Sequence, residues 1–262
     1  MKYSLRCFLL ILVLLAIYLN ILTFEKALNS CCDFQWNPTK ELCQHQNPYE
    51  SYLANKVFLA QFPLYPVTGY IVLIPYALMD WSHAKIAWIL TNYLATFLLL
   101  YGLQKLWKID NNMIIVFLCV AFLMCKPYRI AIENGQHDLF VLTLFMWSII
   151  LSKNNKLVAG ILLGLSWFKY STTFPLSLYF IFKQEWKIVF FGVVVHLLLF
   201  AGICLWLRQS PPHIIKTYFD TLKDMSSYWE WHLYHQYSYI AFMIPAWWCI
   251  HFVESKYRIK GV

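Results

Sequence analysis

The stretch "CCDFQWNPTKELCQHQNPYESY", residues 31–52, sets one acid, Asp33, a few residues after an apolar run and beside the aromatics Phe34 and Trp36. A carboxylate at the edge of an apolar layer loses part of its hydration, which raises its pKa and makes it a better proton acceptor. The same position suits a solvated loop acid or the cap of a short interfacial helix. Farther on, "KPYRIAIENGQHD", residues 126–138, is the most polar stretch in the middle of the chain. Lys126 and Arg129 stand three apart and can present two cations to a phosphate. Asn134, Gly135 and Gln136 make a tight turn with amide donors, which suits a sugar or pyrophosphate oxygen. An ordinary loop between two short helices has the same composition. Lys169, in "GLSWFKYSTTFP", is an ionisable group inside an apolar run. It either snorkels from the end of a half-length helix or, as expected here, faces an anionic lipid headgroup.

The elements that must position these groups are set by composition. The 262-residue chain has a mean hydropathy of +0.53, with 13% charged and 19% aromatic residues. A soluble domain of this size needs about twice that charge to cover its surface, so the pattern is that of a polytopic membrane protein. The net charge of +8 is spread over short basic clusters between apolar runs, "MKYSLR", "LQKLWK", "KNNK", "KQEWK" and "SKYRIK". Loops held on the cytoplasmic side look this way, and neither a long basic tract nor an RNA-binding signature points to nucleic acid. Cys7, Cys119, Cys125, Cys204 and Cys249 lie in apolar runs and act there as small hydrophobes. Cys31, Cys32 and Cys43 share the first polar loop, where one of the vicinal pair can bridge to Cys43 if the loop lies outside the cytosol.

The first apolar run, Cys7 to Phe24, follows Lys2 and Arg6 and is longer than a signal-peptide core. It reads as an uncleaved helix with its N-terminus in the cytoplasm. Further spans are expected over Val57–Met79, Ile86–Leu103, Met113–Cys125, Leu139–Leu151, Leu157–Phe182, Ile188–Leu207 and Tyr239–Val253. Several fall short of the ~20 residues that cross a bilayer. Leu157–Phe182 carries Lys169 and Pro175, and is either one tilted helix or two half-length helices meeting near Lys169. The fold expected is all-α: one integral membrane domain of about eight helices over residues 1–262, with both termini cytoplasmic. A first extracytoplasmic loop covers residues 24–56 and a second polar loop covers 208–238. In the second, His232 and His235 stand three apart as metal ligands on a helix do. No carboxylate spacing supports a metal, and packing of aromatics at a membrane surface accounts for the pair. Walker loop, dinucleotide fingerprint and serine-nucleophile elbow are absent from the sequence. A small transporter would show inverted repeats and glycine-interrupted spans in matching halves, and the chain shows neither.

Taken in order, several short motifs resemble the GT-C glycosyltransferases that use polyprenyl-phosphate sugars, and most closely glycosyltransferase family 87, the DUF2029 mannosyl- and arabinosyltransferase-like proteins. They are Asp33-Phe34 after the first helix, Asn47-Pro48-Tyr49, Tyr65-Pro66 with Pro75, Asn134-Gly135-Gln136, and "AGILLGLSWFKYSTTFP" from Ala159 to Pro175. Gln236-Tyr237-Ser238 is similar to a polar "NQS" before a late helix. The resemblance implies a polyprenyl-phosphate-sugar donor, a lipid or glycan acceptor, no cofactor, and inverting transfer of a mannose-like sugar at the extracytoplasmic face of the cell membrane. It implies Asp33 as general base, Lys126, Arg129, Asn134, Gln136 and Lys169 around the donor phosphate and sugar, and Asn47, Tyr49, Tyr65, His235 and Gln236 along the acceptor loop. Family members usually carry more helices after the "NQS" region, so the chain reads as a shortened member or as one that works with a partner subunit. The alternative expectation is a non-catalytic membrane subunit or lipid-binding scaffold on the same fold.

Overall fold

A computed structural model describes residues 2–54 and 61–228. His232, His235, Gln236 and the expected span Tyr239–Val253 lie outside the described residues. Among the described residues every regular element is helical. The chain divides into a unit of residues 1–217 and a unit of residues 218–262, and the site lies in the first.

Among the described residues, three helices are long and apolar enough to cross a membrane. Helix α1 (Lys2–Asn29) is the first, and its side chains Phe8, Leu10, Ile11, Leu14, Ile17, Tyr18 and Ile21 are exposed, as a lipid-facing surface requires. After the site loop come two short helices, α2 (Trp36–Cys43) and α3 (Pro48–Leu53). A 3₁₀ helix, Val67–Leu73, leads into the single turn of α4 (Ile74–Ala77). The second long helix, α5 (Trp81–Trp107), starts at Asp80, whose carboxylate accepts from the His83 amide, and stops at Lys108 in the left-handed region. Helices α6 (Asn112–Met124) and α7 (Lys126–Glu133) meet at a bend of 55°, and together qualify as a fourth, broken span. Helix α8 (Asp138–Leu151) is apolar but short. It is followed by α9 (Lys156–Ser166), a 3₁₀ turn at Trp167–Lys169, and the short helices α10 (Tyr170–Leu176) and α11 (Leu178–Phe182). The third long helix is α12 (Trp186–Leu207), and α13 (Pro211–Tyr228) ends the described chain.

The backbone departs from the expected spans in two places, for local reasons. Val57–Met79 is no continuous helix over its described part: Pro63 and Pro66 fall in an extended stretch, and only the 3₁₀ helix and one α-turn follow. Proline removes amide donors and biases the residue before it away from helix. Leu157–Phe182 breaks, and the break falls at Lys169, so the two-half-helix alternative is the one realised. The 24–56 segment also differs from an open loop, because α1 runs on to Asn29 and α2 and α3 fold within it. In it Cys31, Cys32 and Cys43 are free thiols.

Packing fixes the site loop in an aromatic core, and a second cluster of Phe145, Leu163, Trp167, Phe180 and Ile188 joins α8, α9, α11 and α12. Phe34, Trp36, Trp88, Tyr128, Ile132 and Leu139 are buried together, joining the site loop to α5, α7 and α8. Helices α9 and α12 meet through glycines: a Cβ on Gly164 would stand 2.6 Å from the Gly192 carbonyl oxygen. Such close approach is how helices gain contact where lipid removes the hydrophobic drive.

Candidate active site

The five residues that carry Asp33 are held from three sides. Cys31 and Gln35 both adopt left-handed backbone angles, φ 58° and 65°. Each costs a non-glycine residue about 1 kcal/mol or more, so surrounding contacts must hold the loop. They come from the turn at the end of α7. The Cys31 amide donates to the Glu133 carbonyl at 3.1 Å, and the Asp33 amide to the Asn134 carbonyl at 2.9 Å. Gly135, at φ 68°, lets the two segments touch: a Cβ there would lie 2.9 Å from Cys31 Sγ and 3.3 Å from Phe34 Cβ. Its carbonyl accepts from Trp88 Nε1 at 2.9 Å. Phe34 lies flat on Trp88, with centroids 5.1 Å apart at 10°. Trp36 donates to the carbonyls of Tyr76 and Met79, both at 3.2 Å.

The carboxylate so placed faces a small polar group. Tyr65 OH donates to Asp33 Oδ2 at 3.2 Å. Tyr65 is held in turn by Tyr49, whose OH donates to the Tyr65 carbonyl at 2.7 Å. Lys169 Nζ lies 5.7 Å from the centre of the Tyr65 ring. It donates to Asp138 Oδ2 at 2.7 Å, while Thr172 Oγ1 donates to Asp138 Oδ1 at 2.6 Å. This ion pair is mostly enclosed, with side chains 13% and 28% exposed. The 3₁₀ turn at Trp167–Lys169 is what turns the lysine toward the mouth of α8.

Asp33 keeps part of its surface open, yet crowding by protein pushes its carboxyl up to about 6 from an ordinary 3.8. Loss of hydration is the main cause; Lys169 and the Tyr65 hydroxyl pull the other way, and Asp138 adds to the rise. Lys169 is bonded to Asp138, so Asp33 feels it only at a distance. The group is therefore a carboxylate that holds a proton more tightly than a free aspartate and can accept one near neutral pH.

The residues singled out from sequence fare differently. Asp33, Tyr65 and Lys169 come together, and the Asn134–Gln136 turn supports them through backbone contacts. Asn47 caps α3, accepting from the Tyr49 amide at 3.0 Å, and donates to Gln209 at 2.8 Å and Thr217 at 3.3 Å. It fastens the loop to the α12–α13 connection. Lys126 is exposed at the start of α7, and Arg129 is half-buried with its Nε enclosed and unpartnered. Among the described residues, no hydrogen bond, ion pair or ring contact links either cation to Asp33.

Asp138, Thr172 and His137 were not singled out from sequence. Asp138 had a usable signal: it is an acid at the mouth of an apolar run, the criterion that marked Lys169. His137 is fully buried and had none. Among the described residues no group of three metal-ligating side chains occurs.

A sequence model of glycosyltransferase family 87 matches residues 63–249. No curated protein and no solved structure matched the chain. The matched stretch includes Tyr65, Asn134, Gln136, Asp138 and Lys169, and it begins after Asp33. Apolar helices of membrane-crossing length, the order of the matched motifs and a match over most of the chain agree, and the protein belongs to glycosyltransferase family 87.

Proposed function

We propose that this chain transfers a mannose-like sugar from a polyprenyl-phosphate donor to a lipid or glycan acceptor at the extracytoplasmic face of the cell membrane, with Asp33 as general base. The observation that carries this reading is the setting of Asp33: a carboxylate raised to about 6, bonded to the Tyr65 hydroxyl, and beside the enclosed Lys169–Asp138 pair. In the reaction, Asp33 takes the proton of the acceptor hydroxyl as its oxygen attacks the anomeric carbon. The bond from that carbon to the phosphate oxygen breaks, and its electron pair leaves with the polyprenyl phosphate. Attack from the face opposite the leaving group inverts the anomeric centre. Lys169 offsets the charge gathering on the departing phosphate, and Asp138 with Thr172 keeps the ammonium in place. Lys126, Arg129, Asn134 and Gln136 complete the donor site in this reading, and Asn47, Tyr49 and Tyr65 border the acceptor.

The topology that goes with it is multi-pass, with both termini cytoplasmic and the Asp33 loop outside. The test uses membranes containing the protein, incubated with labelled polyprenyl-phosphate sugars. A new glycosylated product that disappears in Asp33→Asn supports the reading. An active wild type whose Asp33→Asn variant keeps full rate removes Asp33 as the base. An inactive wild type with every such donor favours a non-catalytic subunit or lipid-binding scaffold.

A further inference from the structure

We infer that His137 is a positioning residue: a neutral imidazole, fixed with its hydrogen on Nε2, that sets the Asp33 carboxylate against the turn bearing Lys169. The inference rests on the proposed role of Asp33 and extends it to a residue with no place in the reaction itself.

His137 is completely buried between α7 and α8. Its Nε2 lies 3.1 Å from the carbonyl oxygen of Phe34, the residue that follows Asp33. A carbonyl only accepts, so Nε2 carries the hydrogen. Nδ1 is then an acceptor, and it is enclosed with no partner among the described residues. Burial, aided by Lys169, pushes the imidazole down to about 3, against the pull of Asp138 and the Phe34 carbonyl. The ring stays neutral at any working pH.

The contacts of this ring reach each element that carries part of the site. Tyr65, the donor to Asp33, packs edge-on with centroids 4.9 Å apart. Phe168, the neighbour of Lys169, packs edge-on at 5.4 Å. Trp88, on which Phe34 is stacked, lies at 4.8 Å. Asp138, which holds Lys169, is the next residue in the chain. One ring therefore fixes the spacing between base and cation. Its single hydrogen bond goes to the loop with two left-handed residues, which has a conformational cost to relieve by moving.

The experiment compares His137→Phe, which keeps a ring but has no donor, with His137→Gln, whose amide can still donate to the Phe34 carbonyl. Displacement of a catalytic group by about 1 Å costs on the order of 100-fold. The expected result is a fall of roughly 30- to 100-fold in kcat for His137→Phe, with the donor KM within about twofold. His137→Gln should recover most of it.

A second readout needs no turnover. Dicyclohexylcarbodiimide modifies protonated carboxyl groups in apolar surroundings, and mass spectrometry of the Asp33 peptide follows it against pH. The groups facing Asp33 are Lys169, Asp138, Tyr65 and Gln35, with Cys32 beside it in the chain. Each is the same in both variants, so a shift in labelling reports the loop. Release of the Phe34 carbonyl lets water reach Asp33, and its labelling midpoint should move down in His137→Phe and stay in His137→Gln. If both variants lose rate and melting temperature together with no midpoint shift, His137 is a packing residue and the inference fails. If His137→Phe keeps full rate and midpoint, it also fails. Should the wild type transfer no sugar, the proposed reaction falls while the carbodiimide titration still decides the position of Asp33.

Discussion

Replacing Asp33 by Asn separates catalysis from stability in opposite directions. The amide keeps the size of the side chain and an oxygen for the Tyr65 hydroxyl, which donates at 3.2 Å in the wild type, but it cannot accept a proton. Transfer should fall by roughly two to four orders of magnitude, the usual worth of a general base. Stability should move the other way. The carboxyl titrates at an ordinary 3.8 when unfolded and at about 6 when folded, so folding favours its protonated form. Its stabilising contribution is complete below 3.8 and is lost as pH rises through about 6. At ~1.4 kcal/mol per pH unit, the loss across that window is at most about 3 kcal/mol. Asn has no such loss. Thermal melts in one detergent at several pH values should therefore show Asp33→Asn gaining on the wild type between pH 4 and 7, by several degrees at the upper end. The pH dependence of kcat/KM should rise through about 6 with the wild type and be flat in the residual activity of the variant. A variant that melts lower than the wild type at pH 7 would refute the desolvation argument, and a wild-type acid limb near 4 would refute the raised pKa.

Gly135→Ala should destabilise by about 1–2 kcal/mol from its positive φ alone, and lower transfer by more than its melting shift suggests, because the new methyl meets Cys31 and Phe34; equal melting curves would contradict this. Lys169→Met leaves Asp138 partly enclosed without its cation and should cost about 2 kcal/mol; adding Asp138→Asn should recover much of the melting temperature but none of the transfer. Gly164→Ala should weaken the α9–α12 contact, lowering the melting temperature while a surface glycine with open space around it, Gly202, tolerates Ala. In a variant keeping only Cys32, which is exposed, an impermeant maleimide should label intact cells; labelling only after the membrane is opened would reverse the topology.

The sequence was most legible where chemistry and hydropathy coincide. Helices α1, α5 and α12 follow from long apolar runs, and Asp33 and Lys169 stood out as charged groups against such runs. Tyr65 entered through motif order rather than through any property of a tyrosine between prolines. The partner of Lys169 was missed because an ion pair between residues 138 and 169 depends on a break in the helix, and hydropathy does not say on which side of a break a side chain emerges. The Asn134–Gln136 turn was read for its side-chain amides, yet its described work is done by backbone carbonyls and by the missing Cβ of Gly135. Backbone contacts of that kind carry no residue signature except the glycine. Lys126 and Arg129 show the converse: a spacing of three along a helix carries no information on contact with Asp33, and among the described residues neither makes one.

The two acids of the site share one cation, and geometry assigns it to Asp138. That acid has the ammonium at 2.7 Å and a threonine hydroxyl at 2.6 Å, one on each carboxylate oxygen. Asp33 is left with the Tyr65 hydroxyl, the Gln35 side chain and a lysine that is already engaged, and the cost of its enclosure shows as a raised pKa. Were Lys169 bonded to Asp33 instead, Asp33 would hold its proton weakly and the second acid would be the strained one. The difference is made by the 3₁₀ turn before Tyr170, by the position of Asp138 at the first turn of α8, and by the loop that the Glu133 and Asn134 carbonyls hold in place despite its two left-handed residues. The basicity of Asp33 is thus a property of how α8, the broken α9–α10 segment and the first loop are fitted together.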